Sequence, residues 1–310
     1  MAVNPNSHII GITGGKGGVG KSVFAANLAI AFITEMRQPV LLIDLDKQSC
    51  ADQNVILGLR EARTIGEASQ FAGSISQQSI GSILTQHPGT NLAFLGAVRT
   101  RDDSLTIAPE VAVRIIESLS NFFKFIIVDL GSNLSPLQMS IVEKSTCLLV
   151  VTTPEVLAVN QTMKMVGDLM AATLPGDMIQ IVVNKASSAA LAPQGIAQTL
   201  RRNVIGVVPQ DDLAAIGSLQ RQQPFIMTGP KTPISAAYFE IVRKLTGGTL
   251  QQLKALTRPQ ELKYKKEIAT PEAAGGKRFR GGPQKTDART SIKMAIHGEL
   301  IKAKKKKKNI

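Results

Sequence analysis

The 310-residue chain is 44% hydrophobic but only 4% aromatic, which supplies enough Val, Ile, Leu and Ala for the core of one large α/β domain with an appendage. Its two cysteines, Cys50 and Cys147, have no Cys or His partner at metal-ligand spacing. That argues against zinc, Fe–S and disulfide frameworks, and with no signal-like N-terminus and no run of about 18 apolar residues the chain is expected to stay in a reducing cytoplasm. The net charge of +13 is uneven: 17 of the 36 basic but 5 of the 23 acidic residues fall in 250–310, leaving 19 against 18 in 1–249.

In chain order, His8–Thr13 (HIIGIT) reads as a short apolar strand, followed by a Gly/Lys loop and by FAANLAIAFITEM, a buried helix. PVLLIDLD is a second strand ending in two carboxylates. Further apolar runs lie at 91–97, 122–130, 147–153, 178–184 and 204–209, with helical stretches at 109–121, 156–172, 194–202, 211–221 and 234–245. Alternating buried strands and helices predict an α/β fold, a mostly parallel sheet with helices on both faces and ligands at the carboxyl ends of its strands. Around Thr246, GGT is expected to break the last helix. Residues 1–249 are expected to form the domain and 250–310 a basic linker, in which Ile292, Ile296 and Leu300 precede five lysines as a short amphipathic helix.

Gly15-x-x-x-x-Gly20-Lys21-Ser22 is a phosphate loop, placed after one strand and before one helix as that motif requires. Its glycines let the backbone N–H groups reach phosphates, so Gly15, Lys16, Gly17, Gly18, Val19, Gly20, Lys21, Ser22 and Val23 are assigned to nucleotide binding. Lys21 is expected to neutralise the β/γ-phosphates, and Ser22 to offer its hydroxyl to Mg2+. Asp129 ends the strand FIIVD, where a carboxylate holds that metal directly or through water. Gly131 lets the chain turn beside the γ-phosphate. Among the remaining residues that attract attention, Asp52 suits a mobile switch, Cys50 is a lone thiol and His87 precedes a Pro-Gly turn.

Lys16 turns the loop into GGKGGVGKS, which resembles the deviant Walker A ATPases of the MinD/ParA type. The resemblance runs from about residue 8 to 245, with LLIDLD, FIIVDLG, TTPE, VVNK and VPQDD in family order. It implies a P-loop NTPase fold, ATP and Mg2+ as ligands, and slow, partner-stimulated hydrolysis by an ATP-bridged homodimer. It lays on Lys16 a reach across the two-fold interface to the partner's phosphates. It makes Asp46 the switch aspartate that contacts metal and orients the attacking water, with Asp44 in support. Lys16, Lys21 and Asp46 are therefore the catalytic candidates, and Ser22, Asp46 and Asp129 the metal candidates. Asn184 resembles the family's adenine-contacting asparagine, and Pro209 to Asp211 the loop over the other edge of the base. Glu155 serves either the dimer interface or ribose, or simply a helix N-terminus.

Four readings of 250–310 stay open: an anionic-membrane anchor, a protein-docking segment, a nucleic-acid arm, or a solvated basic tail. SIKMAIHGELI also resembles the lead-in helix of CpaF-type secretion ATPases, which points toward the CpaE/TadZ branch, and an FlhG-like branch stands beside it. The expected function is an ATP-dependent dimeric switch that positions a pilus, flagellar or division machine with a cargo or activating protein, at the inner face of the cell membrane. The alternative is a ParA-like partition ATPase that binds non-specific DNA when ATP-bound. Fe–S carriers of the same fold need a Cys-x-x-Cys pair absent here, and a tyrosine kinase needs a tyrosine cluster where only Tyr238 and Tyr264 occur.

Overall fold

A computed structural model describes residues 2–46, 48–49, 51–97 and 107–255. The chain divides into two units, Met1–Lys263 and Tyr264–Ile310. The second unit lies outside the described residues, and with it the expected helix at 291–301 and the lysine run; so does Cys50.

The elements follow in the order β1 (His8–Thr13), α1 (Lys21–Met36), β2 (Val40–Asp44), α2 (Asp52–Leu57), α3 (Ile65–Ala68), α4 (Ile80–Ile83), β3 (Thr85–Gln86) and β4 (Ala93–Leu95). They continue with α5 (Pro109–Leu119), β5 (Phe125–Asp129), α6 (Pro136–Val142), β6 (Cys147–Thr152), α7 (Val156–Ala171), β7 (Ile179–Ala186) and α8 (Pro193–Leu200). The described chain closes with β8 (Val204–Pro209), α9 (Asp212–Arg221), α10 (Phe225–Thr228) and α11 (Pro233–Lys244).

The strands form one sheet in the order β3-β4-β2-β5-β1-β6-β7-β8, parallel except for the antiparallel β3–β4 pair. This is the doubly covered parallel sheet expected from the alternation. Successive strand residues point to opposite faces, so Ile9, Leu41, Ile126 and Leu148 enter one core while Ile10, Leu42, Ile127 and Leu149 enter the other. On the first face α5 buries Ala112, Ile115, Ile116 and Leu119, an i, i+3, i+4, i+7 stripe that begins after Pro109 at the helix start. On the second, α1 is buried from Phe24 to Phe32 and packs beside α11. Phe32 and Phe125 meet at 4.6 Å, and Phe24 and Tyr238 at 5.2 Å.

Two details differ from the expected organisation. The run 91–97 yields only a three-residue strand, completed by the edge strand β3, which is too short to show a periodicity. The Gly-Gly pair does not end the last helix. Gly247 and Gly248 leave helical geometry, Gly248 at φ 129, and the helix resumes over 250–255 with Leu250 and Leu253 buried in the second core. A positive φ that is cheap for glycine gives a kink, and the apolar pair beyond it recovers the packing.

His8 opens the central strand. It is 5% exposed, stacks on Phe125 at 5.9 Å, and its Nδ1 has no hydrogen-bond partner among the described residues. Burial, then the charges of Lys254 and Lys124, hold its pKa at about 4 instead of 6.5. The folded value is the lower one, so between these two pH values the unfolded chain binds a proton that the fold refuses. Stability therefore falls as pH drops from about 6.5 toward about 4. His8→Leu is expected to flatten that slope, read as urea midpoints at about pH 7 and about pH 5.

Candidate nucleotide-binding site

The loop between β1 and α1 lies at the carboxyl edge of the sheet, at the level of Asp44 and Asp129. In register Ile12 pairs with Asp129, and Asp129 with Asp44, across β1, β5 and β2. The loop is clamped from two sides. A Cβ on Gly15 would stand 2.6 Å from the Gln161 carbonyl of α7, and one on Gly20, at φ 89, 2.7 Å from the Asn184 amide nitrogen. Asn184 Nδ2 donates to the Val19 carbonyl at 2.8 Å and Lys185 Nζ to the Gly18 carbonyl at 2.9 Å. The crest is open, since a Cβ on Gly17 or Gly18 would meet nothing within 4 Å. Among the described residues, the N–H groups of 15–20 make no backbone hydrogen bond of good geometry beyond the turn at 17–18. Free amides ahead of the α1 N-terminus make a cradle for an anion.

Charge sharpens that reading. Lys21 is 7% exposed, and its Nζ donates to the Lys16 carbonyl at 3.4 Å while meeting no carboxylate among the described residues. An ammonium buried without a counter-ion costs several kcal/mol, which polyphosphate charge offsets. Opposite it, Asp129 is fully buried. Its carboxylate accepts from the Ser22 hydroxyl, from Gln53 Nε2 at 3.0 Å and from the Gly131 amide at 3.2 Å. Burial pushes the Asp129 pKa up, and those donors oppose the shift. Asp44, beside it and equally buried, is held well above the usual carboxylate range, first by burial and then by the Asp129 charge.

Asp46 completes the acidic side. Its amide donates to Asp44 Oδ1 at 2.9 Å, and its own Oδ1 accepts from the Gln48 amide at 2.9 Å. Gly131 lies against it at φ 69, where a Cβ would stand 2.6 Å from the Asp46 carboxyl carbon. Only glycine suits that conformation and that approach. Thr13 Oγ1 donates to the Gly131 carbonyl at 2.7 Å and Gln138 Nε2 to the Leu45 carbonyl at 2.8 Å, tying the two carboxylate-bearing turns to β1 and α6. Among the described residues no group of three or more His, Cys, Asp or Glu side chains is arranged to hold a metal by itself. A hydroxyl and one or two carboxylates facing a phosphate cradle suit Mg2+, which keeps waters and takes substrate oxygens.

The remaining candidates lie at different distances from this centre. Lys16 is 43% exposed at the rim, with Nζ 3.6 Å from Glu155, which opens α7. Val23 sits in the first turn of α1. Asn184 reaches the loop directly. Pro209 is one strand further out, paired with Ala186, and Asp211 Oδ1 caps α9 by accepting from the Ala214 amide at 2.9 Å. His87 stays outside the site, its Nδ1 accepting from the Gly89 amide at 3.2 Å. Cys147 is buried in β6, with its thiol pushed up to about 12. Sequence reasoning missed Gln53, Gln138 and Thr13; each acts through tertiary hydrogen bonds, two of them for Gln53, and no motif or periodicity marks them.

The chain matches the family described as the CobQ/CobB/MinD/ParA nucleotide binding domain over residues 10–224. It is 27% identical over 252 residues, 79% of this chain and 90% of the relative, to an uncharacterized ATP-binding protein of Methanocaldococcus jannaschii. A ParA family ATPase from Chlorobium tepidum has the same fold, with a TM-score of 0.71 at 23% identity over 76% of this chain and 98% of that one. The septum site-determining protein MinD of Pyrococcus horikoshii, solved with Mg-ADP, superposes with a TM-score of 0.64 at 26% identity over 77% and 96% of the two chains. The family match across most of the chain, on the phosphate loop and carboxylates described above, makes this protein a member of the CobQ/CobB/MinD/ParA nucleotide-binding family: a MinD/ParA-type P-loop ATPase that takes ATP with Mg2+.

Proposed function

We propose that the chain is an ATP-driven spatial switch, in which ATP closes two copies into a dimer that a partner reads and slow hydrolysis resets. One observation carries this reading: the two loop lysines are segregated, Lys21 buried within its own loop and Lys16 exposed at the rim. A lysine at the rim is free to serve phosphates outside its own loop. Its pairing with Glu155 is an exposed one, worth at most about 1 kcal/mol, and yields readily to a partner's nucleotide.

In this reading the loop amides and Lys21 hold the β- and γ-phosphates, and Lys16 of one copy adds charge to the nucleotide of the other. Mg2+, when bound, supplies charge neutralisation on the transferring phosphate. Ser22 and Asp129 hold it, and Asp46, fixed by Gly131 and the Gln48 amide, orients the attacking water. Phosphoryl transfer depends on such positioning and electrostatics more than on covalent chemistry. Asn184 and the Pro209 to Asp211 turn flank the base. Support for a positioning role comes from the septum site-determining relative. Residues 250–310, with their excess of basic side chains, are the segment through which the switch reaches its target, and an anionic membrane is the preferred one. No helix among the described residues is long and apolar enough to cross a membrane; the proposed contact is a peripheral one, at the inner face of the cell membrane. The same basic excess favours a second reading, a partition ATPase on non-specific DNA.

Light scattering after gel filtration tests the switch. Wild type is expected to dimerise with Mg-ATP, and Lys16→Ala to bind ATP but stay monomeric. Asp46→Ala is expected to hold the dimer while hydrolysis falls about 100-fold. A monomer under every condition with ATP bound removes the cross-subunit role of Lys16. Lys21→Ala should weaken ATP binding at least about 100-fold in equilibrium titration. For the target, ATP-dependent pelleting with anionic vesicles that is lost on deleting 290–310 supports the membrane; salt-sensitive, ATP-dependent binding of random duplex supports partition.

A further inference from the structure

Gln53, the second residue of α2, has no solvent exposure. Its amide nitrogen donates twice, to the Ser22 carbonyl at 3.0 Å and to Asp129 Oδ2 at 3.0 Å. Both partners are acceptors, so the orientation of the side-chain amide follows from chemistry: nitrogen faces them and oxygen faces away. That oxygen, Oε1, is buried and has no donor among the described residues. Buried carbonyl oxygens are rarely left so, and each exception calls for a reason. Packing alone does not supply one, because its helix neighbours Ile56 and Leu57 fill buried positions with apolar side chains.

The location supplies the reason. Gln53 joins the backbone of the residue whose hydroxyl faces the metal to the carboxylate expected to hold it. Mg2+ in such sites keeps several waters, and a metal-bound water is a strong donor that needs an acceptor on its protein side. We propose that Gln53 is a positioning residue for the magnesium ion, its Oε1 accepting a hydrogen bond from a metal-bound water while its Nε2 holds Asp129 and the first turn of α1 in place. This rests on the nucleotide reading above and deepens it. It ties α2, which follows the Asp46 turn, to the presence of the metal and not to the nucleotide alone.

The full chain is titrated with ATP in EDTA and again in Mg2+, for wild type, Gln53→Met, Gln53→Ala and Gln53→Glu, after melting curves without nucleotide have shown which variants fold. Met and Ala are expected to lose about tenfold more affinity for ATP in Mg2+ than they lose in EDTA. Glu keeps an acceptor for the water but turns an oxygen toward Asp129 and Ser22 in place of Nε2, so it is expected to retain more of the gain with Mg2+ than Met or Ala and less than wild type. With Mn2+ in place of Mg2+, proton ENDOR of the bound waters should shift in Met or Ala and persist in Glu. A metal-dependent gain unchanged in Met or Ala, or a loss equal with and without metal, overturns the assignment and leaves Gln53 a structural residue. Should Met and Ala both fail to fold, a Glu variant whose bound-water proton ENDOR differs from that of wild type overturns it, and one whose signal persists supports it. Failure of wild type to bind ATP in either condition would count against the nucleotide site and not against Gln53.

Discussion

The buried ammonium of Lys21, which meets no carboxylate among the described residues, is the feature on which the carboxyl edge of the sheet depends. Its charge lies a few residues from the free loop amides, while Asp44, Asp46 and Asp129 gather at the ends of the two strands that follow. Positive and negative groups are thus kept apart, each costly in its own surroundings, with the Ser22 hydroxyl joined to the acidic side. Polyphosphate meets the first group and a divalent cation the second. Binding therefore removes two penalties that the ligand-free fold carries, and ligand occupancy and stability are coupled.

That separation is possible because the sheet beneath it is rigid. β1 is central, flanked by β5 and β6, and apolar on both faces, so the loop leaves a strand that cannot shift without disrupting two cores. The α7 backbone against Gly15 and Asn184 against Gly20 hold the loop from either side. Lys16 escapes the clamp. The same geometry that buries one lysine presents the other at the rim, and a single nine-residue motif thereby serves two directions.

Much of this was legible in the sequence because it is local. The phosphate loop needs glycines, a lysine and a hydroxyl at fixed offsets, and strands buried on both faces must be continuous apolar runs; both signals survive in one dimension. Asp129 was found because it ends such a run. The short α6, α10 and β3 were not read, since segments of two to seven residues are too brief for periodicity to separate helix from strand. The helix break at the Gly-Gly pair was read as an end because local propensity cannot see the core waiting for Leu250 and Leu253.

Residue order alone determined the class of fold, the chemistry of the loop and the family resemblance, through short-range spacing and hydrophobic period. Only the tertiary structure decided which of two lysines is buried, that Gly131 faces Asp46 across 85 positions of chain, and that Gln53 stands between Ser22 and Asp129. Those are contacts between distant segments, made by the pairing of β2 with β5 and the return of α2 over the α1 N-terminus. No pattern within any one segment encodes them, because the forces that create them act through space and not along the chain.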